Sequence, residues 1–338
     1  MSDVLELRGL DEIESRRLAW EKLWGESRWQ HFSMRWDWFR LLIRWNAAQW
    51  EPMVLEARWG DRVLGMLPLL AHRKIERWAS PNLVTGVGPA TLLGREVTAA
   101  WMQIANYLKR KRSRSGTLDL GPFDPSWGVG SRLETAFQNI AHRRLAKLKV
   151  TRREIDTTLR IWDSQSSTAR AWEVVSTCGQ SRHDHGLSAR EWDQLSATIA
   201  SGDTKVVSPI GCLTEHPNAA LDAVETLASA GLLWMTQTRE RGGARQLLWV
   251  GDREQLEPLM ELRPAGAAGL DEADVRGMMQ SLHHAGIKRV SVGGWNWPKL
   301  AEETQQAYRT YGFAPKLDVR STWHVLWNPL KVATPVLR

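Results

Sequence analysis

Two stretches of the chain spell out one order of elements, and that repetition limits the fold more than any single motif. In the first, EPMVLEARWGDRVLGMLPLLAHRK sets two apolar runs on either side of Gly60-Asp61, a turn dipeptide that closes a β-hairpin. A Gly/Pro-rich loop from Pro81 to Gly94 follows, then a helix over Val97 to Leu108 and a strand, TLDLG, ending at Gly121. A loop with Pro122, Pro125 and Gly128 leads to a helix from about Arg132, and a strand, TTLRIW, ends near Trp162. In the second stretch LLWMTQT and RQLLWV flank RERGG as a hairpin, and the loop RPAGAAG precedes a helix over Asp271 to Ala285. A strand, KRVSVGG, ends at Gly293–Gly294, a loop with Asn296 and Pro298 leads to a helix over Lys299 to Tyr311, and a strand, STWHVLW, closes the lobe. From Val97 to Gly121 is 24 residues and from Val275 to Gly293 is 18; the difference is the length of KRKRSR, Lys109 to Arg114. A shared order of this kind points to a duplicated unit. The expectation is an α/β chain of two lobes, 1–165 and 166–338, each a mixed sheet flanked by helices. The segment from Asp163 to Ala230 is the least legible part.

Length agrees with two lobes, since 338 residues exceed what one core of ordinary size holds. Hydrophobic residues at 43% and charged residues at 25% belong to a globular chain, and no apolar run approaches the roughly 18 residues of a membrane span. The opening MSDVLELRGLDEIESRR is acidic and amphipathic and lacks the apolar stretch of a secretory signal. With only Cys178 and Cys212, no disulfide framework or four-cysteine metal site forms, so a cytoplasmic protein is expected. The net charge of +7 is local: Lys109 to Arg153 holds twelve Lys/Arg against three acids. Such a run reads as a solvated insertion or as a surface for RNA or CoA phosphates. Eight of the 20 tryptophans precede residue 60, with Trp20 and Trp24 four apart and Trp36, Trp38 and Trp45 in MRWDWFRLLIRW, a spacing that packs a core.

The stretch GIKRVSVGGWNWPKLAEETQQAYRTYGF resembles the last strand–helix–strand of the GNAT acetyltransferase fold, most closely in AYRTYGF, Ala307 to Phe313. Upstream, Arg263-Pro-Ala-Gly266-Ala267-Ala268-Gly269 is similar to the loop that in that family cradles the pyrophosphate of an acyl-CoA. The early Trp-rich helices and the hairpin GDRVLGMLPLL resemble the double-lobed cellulose-biosynthesis (CelD-type) acetyltransferases. The resemblance implies two tandem GNAT-like lobes, acetyl-CoA or another acyl-CoA as co-substrate, and Tyr308 as the general acid toward the leaving thiolate. Where the family pattern often has an asparagine seven residues before that tyrosine, this chain has Ala301.

The chemistry of direct acyl transfer needs held phosphates, a base for the nucleophile and an acid for the thiolate. A Gly/Ala-rich loop running into a helix N-terminus suits the phosphates, because free N–H groups and the positive helix end face them. Against this stand Asp271, Glu272 and Asp274, which neutralise that end. Glu261, in the apolar strand PLMEL, is the candidate base. Asn296 and Trp297, at a strand end, are the candidate substrate contacts. His183-Asp-His185 lacks a third ligand at sensible spacing, and no metal site is expected. Three functions fit: an acyl-CoA-dependent transferase acting on an amine or hydroxyl of a sugar or cell-envelope precursor; a Fem-like aminoacyl-tRNA-dependent transferase using the basic segment; and a GNAT-derived binding or scaffold protein without catalysis.

Overall fold

In the computed structural model the described residues are 2–28, 30–82, 92–110, 116–123, 132, 136, 147–156, 158–160, 173–176, 189–201, 204–208, 210, 213–214, 216–240, 243–292, 302–313 and 316–327. The chain divides into a unit of Met1–Arg153 with Val319–Arg338 and a unit of Glu154–Asp318.

The first unit is built on strands β1 (Ser2–Arg8), β2 (Trp50–Trp59), β3 (Arg62–His72), β4 (Arg77–Ala79), β5 (Gly116–Phe123), β6 (Lys147–Asp156) and β14 (Lys316–Trp327), in the spatial order β1-β2-β3-β4-β5-β14-β6. Helices α1 (Leu10–Glu14), α2 (Arg17–Glu26), α3 (Trp36–Asn46) and α4 (Val97–Arg110) cover it. Burial on both faces explains why β2 and β3 read as nearly unbroken apolar runs. Met53, Leu55, Leu67 and Leu69 share a cluster with Val97, Trp101, Ile104 and Leu108 of α4. Their alternating neighbours Val54, Met66 and Leu70 join Ile13, Trp20, Trp36 and Phe39. The α4 residues fall at intervals of three and four, the spacing of one helical face. Trp20 stacks on Phe39 at 5.0 Å, meets Trp36 edge-on at 5.5 Å, and donates from Nε1 to the Met34 carbonyl at 3.0 Å. These early tryptophans are packing residues.

Gly65 marks a close approach in this unit. A Cβ there would lie 2.7 Å from the Leu93 carbonyl oxygen and 3.1 Å from the Ala100 Cβ. Leu93 is fixed by reciprocal hydrogen bonds with Met66 of 3.0 and 2.8 Å, so its backbone cannot yield. Gly65→Ala is expected to destabilise the unit by about 1–3 kcal/mol, the usual cost of overpacking, as read by urea denaturation.

The second unit holds β7 (Thr158–Arg160), β8 (Glu173–Ser176), β9 (Thr204–Val207), β10 (Leu233–Glu240), β11 (Gly243–Gly251), β12 (Leu256–Pro264) and β13 (Arg289–Ser291), with order β7-β13-β12-β11-β10-β8 and β9 paired to β12. Its helices are α5 (Ala189–Ala200), α6 (Pro217–Ser229), α7 (Glu272–His284) and α8 (Glu302–Tyr311). Val275, Met278, Met279 and Leu282 of α7 pack with Ala307, Tyr308 and Tyr311 of α8 over Trp234 and Trp249.

The duplication is visible in strand order and sense. β2-β3-β4-β5 runs antiparallel, antiparallel, parallel, and β10-β11-β12-β13 runs the same way. β1 flanks β2 antiparallel as β8 flanks β10. One expectation is overturned: the closing strands are exchanged. Residues of STWHVLW, in β14, pair with β5 of the first sheet, while residues of TTLRIW, in β7, pair with β13 of the second. The opening residues form strand β1, whose backbone groups pair along the edge of β2. Gly121 lies within β5; Gly293 falls outside the described residues.

Candidate functional site

The proposed donor loop grows out of β12. In this strand Glu261 is buried between Met260 and Leu262. Side chains two apart on a strand share a face, and Arg263 reaches back to Glu261 with both Nε and Nη2, at 2.8 and 2.7 Å. The neighbouring strand supplies a second guanidinium. Leu247 of β11 pairs with Glu261, and Arg245, two residues earlier on that face, sets its Nε 3.3 Å from Glu261 Oε1. Arg245 is 1% exposed. Its Nη1 donates to Asp274 Oδ2 at 3.2 Å and its Nη2 to the Ala268 carbonyl. Two carboxylates and two guanidiniums thus form a neutral cluster. A buried charge survives only when paired in this way.

The loop itself is a turn. The Ala267 N–H donates to the Pro264 carbonyl at 3.1 Å, and Gly266 sits at φ +79°, a left-handed conformation that costs other residues about 1–2 kcal/mol. Ala265, Gly266 and Ala268 are exposed. Gly269 is tight against α8, where a Cβ would meet Thr304 Oγ1 at 2.9 Å. Helix α7 begins with a capping box: Asp271 Oδ1 accepts from Asp274 N at 2.8 Å, and Asp274 Oδ2 accepts from Asp271 N at 3.1 Å.

Two of the three acids expected to neutralise the start of α7 are themselves paired with cations. Asp274 is fully buried and neutralised by Arg245, and Glu272 pairs with Arg276 at 2.5 Å. Arg263, nominated as a phosphate ligand, is bound to Glu261. Glu261, nominated as the base, has both oxygens paired with guanidinium groups, Oε1 with Arg263 Nε and Arg245 Nε and Oε2 with Arg263 Nη2. Tyr308 is 2% exposed, its ring edge-on to Phe313 at 5.2 Å. Burial, followed by the charge of Glu261, pushes its phenol above the ordinary range. Asn296, Trp297, Ala301, His183, His185 and both cysteines lie outside the described residues, as does most of Lys109–Arg153. Arg245 was not foreseen; its signal is a cation inside the apolar strand ARQLLWV. No group of three metal-ligating side chains occurs among the described residues, and no described helix is long and apolar enough to cross a membrane.

The phenols give a pH prediction. Burial first, then Glu6, raises Tyr107 in the first unit, as burial and Glu261 raise Tyr308 in the second. Above pH of about 10 the unfolded phenols ionise while the folded ones keep their protons. The unfolded state then binds fewer protons, so stability falls as pH rises. Chemical denaturation at pH 9 and pH 11 should show both units weakened at the higher value.

No family model matches the sequence, and neither does any curated protein. Among solved structures, a tandem GNAT protein from the clavulanic acid biosynthesis pathway is similar at 11% identity and a TM-score of 0.45, covering 97% of this chain and 99% of that one. FemX is similar at 8% identity and a TM-score of 0.47, covering 91% and 95%. The C-terminal domain of a putative lysylphosphatidylglycerol synthetase from Agrobacterium fabrum is similar at 12% and 0.44, covering 87% and 89%. At these values the likeness carries no information about chemistry.

Proposed function

We propose that the chain is an acyltransferase whose second unit holds an acyl-CoA-type donor at the turn between β12 and α7 and passes the acyl group directly to an amine or hydroxyl. The observation that carries this reading is the turn before α7, where Ala265, Gly266 and Ala268 are exposed and Arg245 holds the Ala268 carbonyl. Small side chains let a phosphate approach that backbone. Tyr308 enters this reading as a packing residue: a hydroxyl buried in the core does not reach a leaving thiolate. Tyr308→Phe is expected to change turnover by less than tenfold, where loss of a general acid costs about 10²–10⁴-fold.

Calorimetric titration with acetyl-CoA tests the donor site. Wild-type binding that Gly266→Asp abolishes supports it, because a carboxylate then faces the pyrophosphate. Absence of binding at millimolar acetyl-CoA removes it. The mutual pairing of Glu261, Arg263, Arg245 and Asp274 favours a second reading, a binding protein in which this cluster is only a structural lock. Salt-sensitive tRNA binding without CoA binding would instead favour aminoacyl transfer.

A further inference from the structure

Strand β12 shares one of its edges between two partners. Leu256 pairs in parallel with Val290 of β13, while Glu261, Leu262, Arg263 and Pro264 pair antiparallel with Val207, Val206, Lys205 and Thr204 of β9. The equivalent pair in the first unit behaves differently. There β4 and β5 stay together for three registered pairs, Arg77↔Thr117, Trp78↔Leu118 and Ala79↔Asp119, and among the described residues no further strand joins β4 on that side. In the second unit β12 and β13 share one registered pair among the described residues, and β9 takes up the β12 edge further along.

The seam is mainly a backbone one. Ser208 Oγ extends it by donating to the Leu259 carbonyl at 2.7 Å. Lys205 is exposed, and Thr204, Val206 and Val207 are half-buried, so none of the four is a core residue. The pairing ends at Pro264, which has no N–H to give and opens the turn of the candidate donor loop. An unpaired strand edge is a site where another extended chain adds. A short segment with few buried apolar contacts is also the kind that opens locally at low free-energy cost.

We propose that β9 is a removable occupant of the β12 edge. It closes a backbone strip onto which an extended, amide-bearing arm of an acyl donor would pair, and it leaves by local opening without unfolding of the sheet. Only the identity of the replacing ligand rests on the donor-site reading above.

Hydrogen exchange on the full chain, with Lys205→Pro and Val206→Pro, tests the proposal. Adjacent strand residues point their N–H groups to opposite sides, so one of the two prolines removes a donor from the seam. In the wild type the amides of the β9–β12 seam are expected to exchange at least about 100-fold faster than those of the β10–β11 ladder. The seam-breaking variant should expose the β12 amides further, keep β10–β11 protection and Tm, and lower the Kd for acetyl-CoA at least tenfold. Seam amides that exchange only together with the β10–β11 ladder overturn the proposal. So does loss of β10–β11 protection in both proline variants, or an opened seam that leaves a measurable acetyl-CoA affinity unchanged. Local opening in a protein that binds no acetyl-CoA, with or without the proline, upholds the removable strand and removes the donor reading instead.

Discussion

Arg245→Ala is expected to lower the unfolding free energy by about 3–5 kcal/mol, the usual cost of breaking a buried ion pair from one side. The side chain is 2% exposed and spans three elements: Glu261 on β12, the Ala268 carbonyl in the loop, and Asp274 on α7. Truncation takes from the buried Asp274 its Arg245 guanidinium and from the Ala268 carbonyl its guanidinium donor. Arg245→Met restores most of the volume and should recover little, because the loss is of charge compensation. Arg263→Ala is the control. Its side chain is 19% exposed and Glu261 keeps Arg245, so a loss of about 1 kcal/mol is expected. Urea denaturation with the m-value monitored measures all three. An Arg245→Ala effect below that of Arg263→Ala would show that the cluster does not hold the second unit together.

Deletion of residues 316–338 should have the larger consequence, and it should fall on the first unit. Strand β14 lies between β5 and β6, with Trp323↔Leu120, His324↔Asp119, Val325↔Leu118 and Leu326↔Thr117 in register. Removing it leaves an edge at β5, detaches β6, and opens to water a strand whose Leu118 and Leu120 are fully buried. The cooperative unfolding transition of the first unit should vanish, with loss of near-ultraviolet circular dichroism from its tryptophans. Retention of that transition would refute the strand exchange.

Local pattern made much of this architecture legible. The hairpin at Gly60-Asp61, the three-and-four spacing of α4, and the cap at Asp271 each follow from periodicity and turn chemistry close in sequence. Strand ownership was hidden, because the alternation in STWHVLW states that a strand forms and says nothing about which sheet receives it. At the site, Gly266 was legible as part of a Gly/Ala-rich loop running into a helix, whereas Arg245 was not. Its three partners are separated from it by between 16 and 29 residues and come together only once β11, β12 and α7 have packed. The plain hydrophobic position of Tyr308 was equally visible in its spacing with Thr304 and Tyr311, all three of which are buried.

The exchange of β14 also fixes an order of events during synthesis. Strand β5 leaves the ribosome about 190 residues before β14 does. At about 5–20 residues per second, its edge waits about 10–40 s for the strand that completes the sheet. The amino-terminal unit therefore cannot finish first, although it is made first. Throughout that interval the nascent chain carries an open β edge of the kind that invites pairing with a stranger. Its survival depends on what shields β5 until the carboxyl terminus arrives.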